Sequence, residues 1–172
     1  GKFEILATEI LRAADRKYAP LIHTGVNAKG KPIKDPLDGI HVADGIVVAV
    51  EHTTTQRSGL RGKWLGTSTK RGDVEKSIEK LSDASEEHSE SILVLTCTTT
   101  PESDLVIDVE SRCRAQGVTC DIWSQDRLAS FLDRDPEGQW IRRRFFGVMP
   151  ERVSVSLLAA ASKATIEQQA TN

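Results

Sequence analysis

Five consecutive apolar residues, Ile46 to Val50, run directly into Glu51, and the pair Asp44-Gly45 stands immediately before them. Both central positions of a two-residue type I′ turn need positive φ, which Asp and Gly tolerate, so the pair predicts a tight hairpin that launches a strand. Apolar on both faces, that strand belongs at the centre of a sheet. A carboxylate at its end is costly unless it reaches solvent, a metal or a partner. Glu51 therefore narrows the possibilities more than any other residue. Asp38, just beyond Pro36-Leu37, falls on the strand that the hairpin folds back beside Glu51. Two carboxylates on adjacent strands offer hard oxygen donors suited to Mg²⁺ or Mn²⁺.

Around this hairpin the chain alternates helical and strand patterns. Phe3 to Arg16 keeps helical apolar spacing through Phe3, Leu6, Ala7, Ile10, Leu11 and Ala14, with Glu9 on its flank. Tyr18 to Val26 reads as a first strand, followed by a lysine-rich connection from Asn27 to Asp35 and a short strand near Asp38 to Val42. Thr54 to Arg71, with Gly59, Gly62 and Gly66 among Arg and Lys, reads as a glycine-rich loop. Asp73 is expected to cap a helix running to about Glu87. Ser91 to Cys97 is a further buried strand, Asp104 to Gln116 a helix closed by Gly117, and Val118 to Trp123 a last strand. Helices over Gln125 to Leu132 and from Asp135-Pro136 through Phe146 complete the pattern. The expected fold is three-layer α/β/α, a central mixed sheet of about five strands flanked by helices. Residues 1–150 form the expected domain, and residues 151–172 a helical tail or linker toward a further domain.

A chain of 172 residues is long enough for one substantial core. Its net charge is only -2, with 28% charged residues, which excludes a global basic field and leaves nucleic-acid contact to local patches. No apolar run approaches the roughly 20 residues of a membrane span, and Gly1-Lys2-Phe3 opens no signal-peptide core, so a cytoplasmic location and no membrane partner are expected. Cys97, Cys113 and Cys120 lack CxxC spacing and read as packing thiols. Gly25 to Lys31 matches the front of a phosphate-binding GxxxxGK loop, but Pro32 stands where Ser or Thr must hold Mg²⁺, and Pro36 stops the helix that should follow. His23, His41, His52 and His88 show no HExxH spacing, and no nucleophile-elbow pattern occurs.

With Glu9 on the first helix, Pro36-Leu37-Asp38 on a hairpin strand and Glu51-His52-Thr53 ending the next, Phe3 to Thr98 resembles the PD-(D/E)xK nuclease superfamily, whose fold is restriction-endonuclease-like. The resemblance implies a metal-dependent endonuclease acting on nucleic acid, DNA above all. It implies that Asp38 and Glu51 hold the metal, that the backbone carbonyl of His52 adds a ligand, and that Glu9 assists with a second ion. One departure is plain. The family's lysine, two residues after the glutamate, is here Thr53, on the same strand face as Glu51. A hydroxyl can orient water but cannot stabilise developing negative charge as an ammonium does. Some members of the superfamily take that lysine from another element, and Lys63, Lys70 and Lys76 are the candidates, with Lys70 and Lys76 nearest the start of the second helix. The alternative is a nuclease-fold module that has lost cleavage and binds nucleic acid or a partner domain.

Lys29, Lys31 and Lys34 precede the acidic pair, and Arg57, Arg61, Lys63 and Arg71 follow it, so two basic segments are placed to contact a nucleic-acid backbone. Arg142-Arg143-Arg144 spreads around a helix and reads as solvation. The stretches Ser124 to Leu132 and Asp135 to Arg142 resemble the end of nuclease-like effector domains found at the N-terminus of bacterial antiphage STAND-type ATPases. That resemblance implies further domains of a larger ATPase chain, with oligomerisation through them.

Overall fold

In a computed structural model, residues 1–21, 40–87 and 89–148 are described. Four strands form one mixed sheet in the order β1-β2-β3-β4: β1 (Ile40–Ala43), β2 (Ile46–Thr53), β3 (Glu90–Cys97) and β4 (Val118–Trp123). The described sheet thus has four strands where about five are expected. β1 and β2 are antiparallel, with Ile40 opposite Ala49 and Ala43 opposite Ile46. β2, β3 and β4 run parallel, with Glu51 opposite Leu95 and Val94 opposite Asp121. The hairpin turn is as the sequence requires, since Asp44 (φ 52°) and Gly45 (φ 74°) both lie in the left-handed region.

Among the described residues, six α-helices, α1 (Lys2–Ala14), α2 (Arg57–Leu65), α3 (Asp73–Ala84), α4 (Ser103–Ala115), α5 (Gln125–Arg134) and α6 (Pro136–Phe146), cover both sides of the sheet. On one side, Val47, Ala49, Leu93, Leu95 and Cys97 pack against Leu60 and Trp64 of α2, Val74 and Leu81 of α3, and Leu105, Val109 and Cys113 of α4. On the other, Val48, Val50, Ile92 and Val94 meet Ile10 and Leu11 of α1, Leu128 and Leu132 of α5, and Ile141 of α6. The alternation along β2 and β3 is the two-residue period of a strand buried on both faces. No helix among the described residues is long and apolar enough to cross a membrane.

Three expectations need correction. The glycine-rich segment contains a regular helix, α2, despite Gly59 and Gly62 within it. Each glycine costs a helix interior about 1 kcal/mol. Leu60 and Trp64, one turn apart, are both fully buried, and burying two such side chains outweighs that cost. Tyr18 lies in a single 3-10 turn over Arg16–Tyr18 rather than opening a strand, because the Asp15 carboxylate accepts the Lys17 N–H at 3.0 Å and closes the chain locally. Residues 22–26 of that expected strand lie outside the described residues. Finally, Gly72 rather than Asp73 occupies the N-cap of α3, so Asp73 is the first helical residue, where a carboxylate suits the helix dipole.

The loop between α2 and α3 fixes the geometry of the site. Gly66 pairs with Arg71 across an isolated bridge, and a Cβ at Gly72 would stand 2.2 Å from the Trp64 carbonyl oxygen. Only glycine permits this close crossing, which sets the end of α2 against the start of α3. At the far end of the chain, the Asp135 carboxylate caps α6 by accepting the N–H groups of Glu137 and Gly138 at 2.9 and 3.3 Å.

Candidate active site

Glu51 is the sixth residue of β2 and shares the face of Val47 and Ala49, so its side chain emerges between the sheet and α3. Along α3, Asp73, Ser77 and Lys80 recur at helical spacing on the side turned to it. The fully buried Ser77 donates its hydroxyl to Glu51 Oε1 at 3.0 Å. From the end of α2, Lys63 reaches Asp73 at 3.2 Å in an ion pair whose carboxylate is only 14% exposed. Lys80 makes no ion pair among the described residues.

Glu51 is held above its ordinary carboxylate range. Burial is the largest cause and the negative charge of Asp73 the next, and together they outweigh the Ser77 hydrogen bond and the charges of Lys80 and Lys63. A carboxyl whose proton affinity is lifted by burial beside a second carboxylate, with ammonium groups nearby, is an arrangement found more often in reactive sites than in scaffolding.

The other expected residues fall in several places. Thr53 shares Glu51's face and is buried, but its hydroxyl serves the strand exit: it donates to Thr55 Oγ1 at 2.8 Å and accepts the Thr55 N–H at 3.1 Å. The His52 ring lies on the opposite face, where Nδ1 meets Thr96 Oγ1 at 2.6 Å, Nε2 lies 3.4 Å from Thr8 Oγ1, and Phe3 sits edge-on. Only its backbone could serve the Glu51 side. Glu9 is not brought to Glu51. Ala7, Ile10 and Leu11 take the sheet side of α1, which turns Glu9 toward α6 and into an ion pair with Arg144 at 2.9 Å. Lys70 lies on the crossing loop, where its carbonyl accepts the Thr67 N–H at 2.8 Å. Among the described residues, Lys80 and Lys63 carry ammonium charges that act on Glu51. Asp38, Lys29, Lys31 and Lys34 lie outside the described residues.

The basic segment after Glu51 is not an open rim. Arg57 pairs with Glu102 at 3.9 Å, Arg61 with Asp104 and Asp108 at 3.2 and 2.8 Å, and Arg71 with Glu75 and Glu79 at 3.2 and 2.5 Å. These pairs are exposed and individually weak, yet each arginine already has a carboxylate partner for which a phosphate would have to compete. Asp73, Ser77 and Lys80 are the site residues that sequence reasoning missed. Their signal is a polar side to α3 at i, i+4 and i+7, legible only once the helix is known to face Glu51. Cys97, Cys113 and Cys120 are all free thiols, the first two buried. Among the described residues, no group of three or more His, Cys, Asp or Glu side chains is disposed to hold a metal ion. Comparison with family models, curated proteins and solved structures yields no match to this chain.

Proposed function

We propose that this chain is the catalytic domain of a metal-dependent endonuclease of the PD-(D/E)xK type, hydrolysing phosphodiester bonds of DNA, with Glu51 at its centre. The observation that carries the reading is Glu51 itself: a half-buried, proton-hungry carboxylate at the end of a central strand, pinned by Ser77 and faced by Lys63 and Lys80.

Asp38 and Glu51 supply hard oxygens that fit Mg²⁺ or Mn²⁺, with Asp73 as a further donor on the same side. When bound, such an ion supplies Lewis acidity and lowers the pKa of water. The chain's own groups do the rest. Lys80 takes the part of the lysine absent at Thr53 and stabilises negative charge building on the scissile phosphate. Lys63, held by Asp73, bounds the site on the α2 side, and Glu51 would help hold the ion through the oxygen that Ser77 leaves open. The resemblance over α5 and α6 supports an effector domain for bacterial phage defence, in the cytoplasm, of the kind carried by STAND-type ATPases.

The test is cleavage of plasmid DNA in Mg²⁺ or Mn²⁺, beside Asp38→Ala, Glu51→Ala and Lys80→Ala variants of unchanged thermal stability. Loss of at least about 100-fold in each is expected, the cost of removing one electrostatic stabiliser. Cleavage that survives Asp38→Ala and Glu51→Ala would sink the proposal. A second reading, a nuclease fold that binds DNA or a partner domain without cutting, is favoured by the engaged hydroxyl of Thr53 and the paired arginines. It predicts retained DNA binding with no cleavage in either metal.

A further inference from the structure

We infer that Ser77 is a positioning residue for Glu51: its hydroxyl fixes Oε1 in place and leaves Oε2 as the atom that meets a cation or a proton. The role assigned to Oε2 rests on the metal-site reading above, whereas the orientation of the carboxylate does not. Serine in a helix ordinarily turns its hydroxyl back to the carbonyl four residues earlier. Ser77 instead sends it across the gap between α3 and the sheet to Glu51, at 3.0 Å, from a side chain with no exposed surface. The position lies on the buried stripe of Val74, Ile78 and Leu81, where alanine would pack at least as well and favour the helix more. Packing alone therefore gives no reason for a hydroxyl here. The Glu51 carboxylate does: it stands on the strand face turned to α3, and the buried Ser77 hydroxyl is the donor that holds its Oε1.

Among the described residues, the groups that act on Glu51 are few. α3 contributes Asp73, Ser77 and Lys80, and α2 contributes Lys63. β3 contributes apolar Leu95 opposite Glu51, and β1 ends among the described residues at Ile40. Ser77 is the uncharged donor of this set. With Oε1 held by Ser77, Oε2 is the oxygen with no hydrogen bond among the described residues, and the charges of Lys63 and Lys80 act on the same carboxylate.

The experiment is a pH titration of the Glu51 side-chain carboxyl carbon by NMR in the 172-residue chain, with the resonance assigned from Glu51→Gln. Loss of a hydrogen bond to a charged group raises a carboxyl pKa by about one unit, a tenfold change in proton affinity. Ser77→Ala should move Glu51 upward by that amount and leave Glu9, on the opposite face, where it was. Ser77→Thr, which keeps the hydroxyl, should return Glu51 toward the parent curve. An unchanged Glu51 titration in Ser77→Ala overturns the inference, as does an equal shift at Glu9 or a Ser77→Thr curve that matches Ser77→Ala. A second titration with Mg²⁺ separates the two readings. Perturbation of the Glu51 resonance at concentrations raised about tenfold by Ser77→Ala supports both. A Glu51 that responds to Ser77→Ala but ignores Mg²⁺ upholds Ser77 as its anchor and removes the metal.

Discussion

Glu51 and Asp121 are both carboxylates on the same sheet, on opposite faces, and they live in opposite electrostatic settings. Burial raises the pKa of each. At Asp121 that push is overcome by hydrogen bonds from Tyr18, from Arg127 and from Trp123, and by the Arg127 charge, so the group sits below its ordinary range. The donors arrive at 2.5, 2.6 and 3.1 Å, and the Arg127 guanidinium also stacks 3.7 Å from the centre of the Trp123 ring. Burial and the hydrogen bond to Asp121 in turn hold the Tyr18 hydroxyl well above its usual range, so it remains a donor. At Glu51 one hydroxyl and two nearby ammonium groups do not offset burial and Asp73. The contrast separates two uses of a buried acid. A carboxylate saturated with donors ties a helix to a strand, whereas one left short of donors retains affinity for a proton or a cation.

The largest effect should come from disturbing the saturated acid. Asp121→Ala leaves the Tyr18 hydroxyl, the Trp123 N–H and the Arg127 guanidinium without their shared acceptor. Arg127 is 48% exposed and can turn to water, so the expected loss is about 3 kcal/mol rather than the full cost of an orphaned buried charge. Glu51→Gln, which keeps volume and removes an under-satisfied charge, should change stability by less than about 1 kcal/mol. Urea unfolding of both variants checks the pair. Equal losses would erase the distinction between the two acids.

The same contrast should appear in pH dependence, with opposite signs. Asp121 has a depressed pKa, so the stability it contributes is present above its ordinary value of 3.8 and is lost as pH falls through its folded value. Glu51 has a raised pKa, so its charge weakens the fold as pH climbs from its ordinary 4.5 through its folded value. The Asp121→Asn deficit should therefore shrink on acidification below about pH 3.8. Any advantage of Glu51→Gln should appear only as pH rises above 4.5. Thermal midpoints measured from pH 3 to 8 decide it. A Glu51→Gln advantage that grows toward low pH would invert the assignment.

Local chemistry explains what could be read beforehand. The Asp44-Gly45 turn, the apolar run of β2, the Gly117 terminus and the Asp135-Pro136 start are short-range signals, and each lies where expected. Helix α2 was hidden because its two anchors, Leu60 and Trp64, express their value only against a sheet that a window of glycines does not reveal. Glu51 was legible because the strand that carries it is defined by its own sequence. Its surroundings were not. The partners of Arg57 and Arg61 sit on α4 and just before it, over 40 positions away, and Asp73 became a neighbour of Lys63 only through the glycine crossing at Gly66 and Gly72. Periodicity alone could not say whether Glu9 would face the sheet's acidic side or α6.

The smallest expected effect concerns Lys63, which belongs to both settings: it is one half of an ion pair and also one of the charges acting on Glu51. The pair with Asp73 is 42% exposed at the lysine, so Lys63→Met should cost the fold only about 0.5 kcal/mol. Its consequence for Glu51 should be larger than that figure suggests. With the ammonium gone, Asp73 loses its counter-charge and Glu51 loses one of the two ammonium charges that favour its ionised form, and both changes favour the protonated carboxyl. The Glu51 titration should therefore move upward while Asp121, on the other face, holds still. Carboxyl NMR on the single variant reads both acids at once. If Asp121 moves with Glu51, the two faces are coupled through the sheet and the division between a structural and a reactive acid fails. If neither moves, Lys80 alone governs the charge at Glu51.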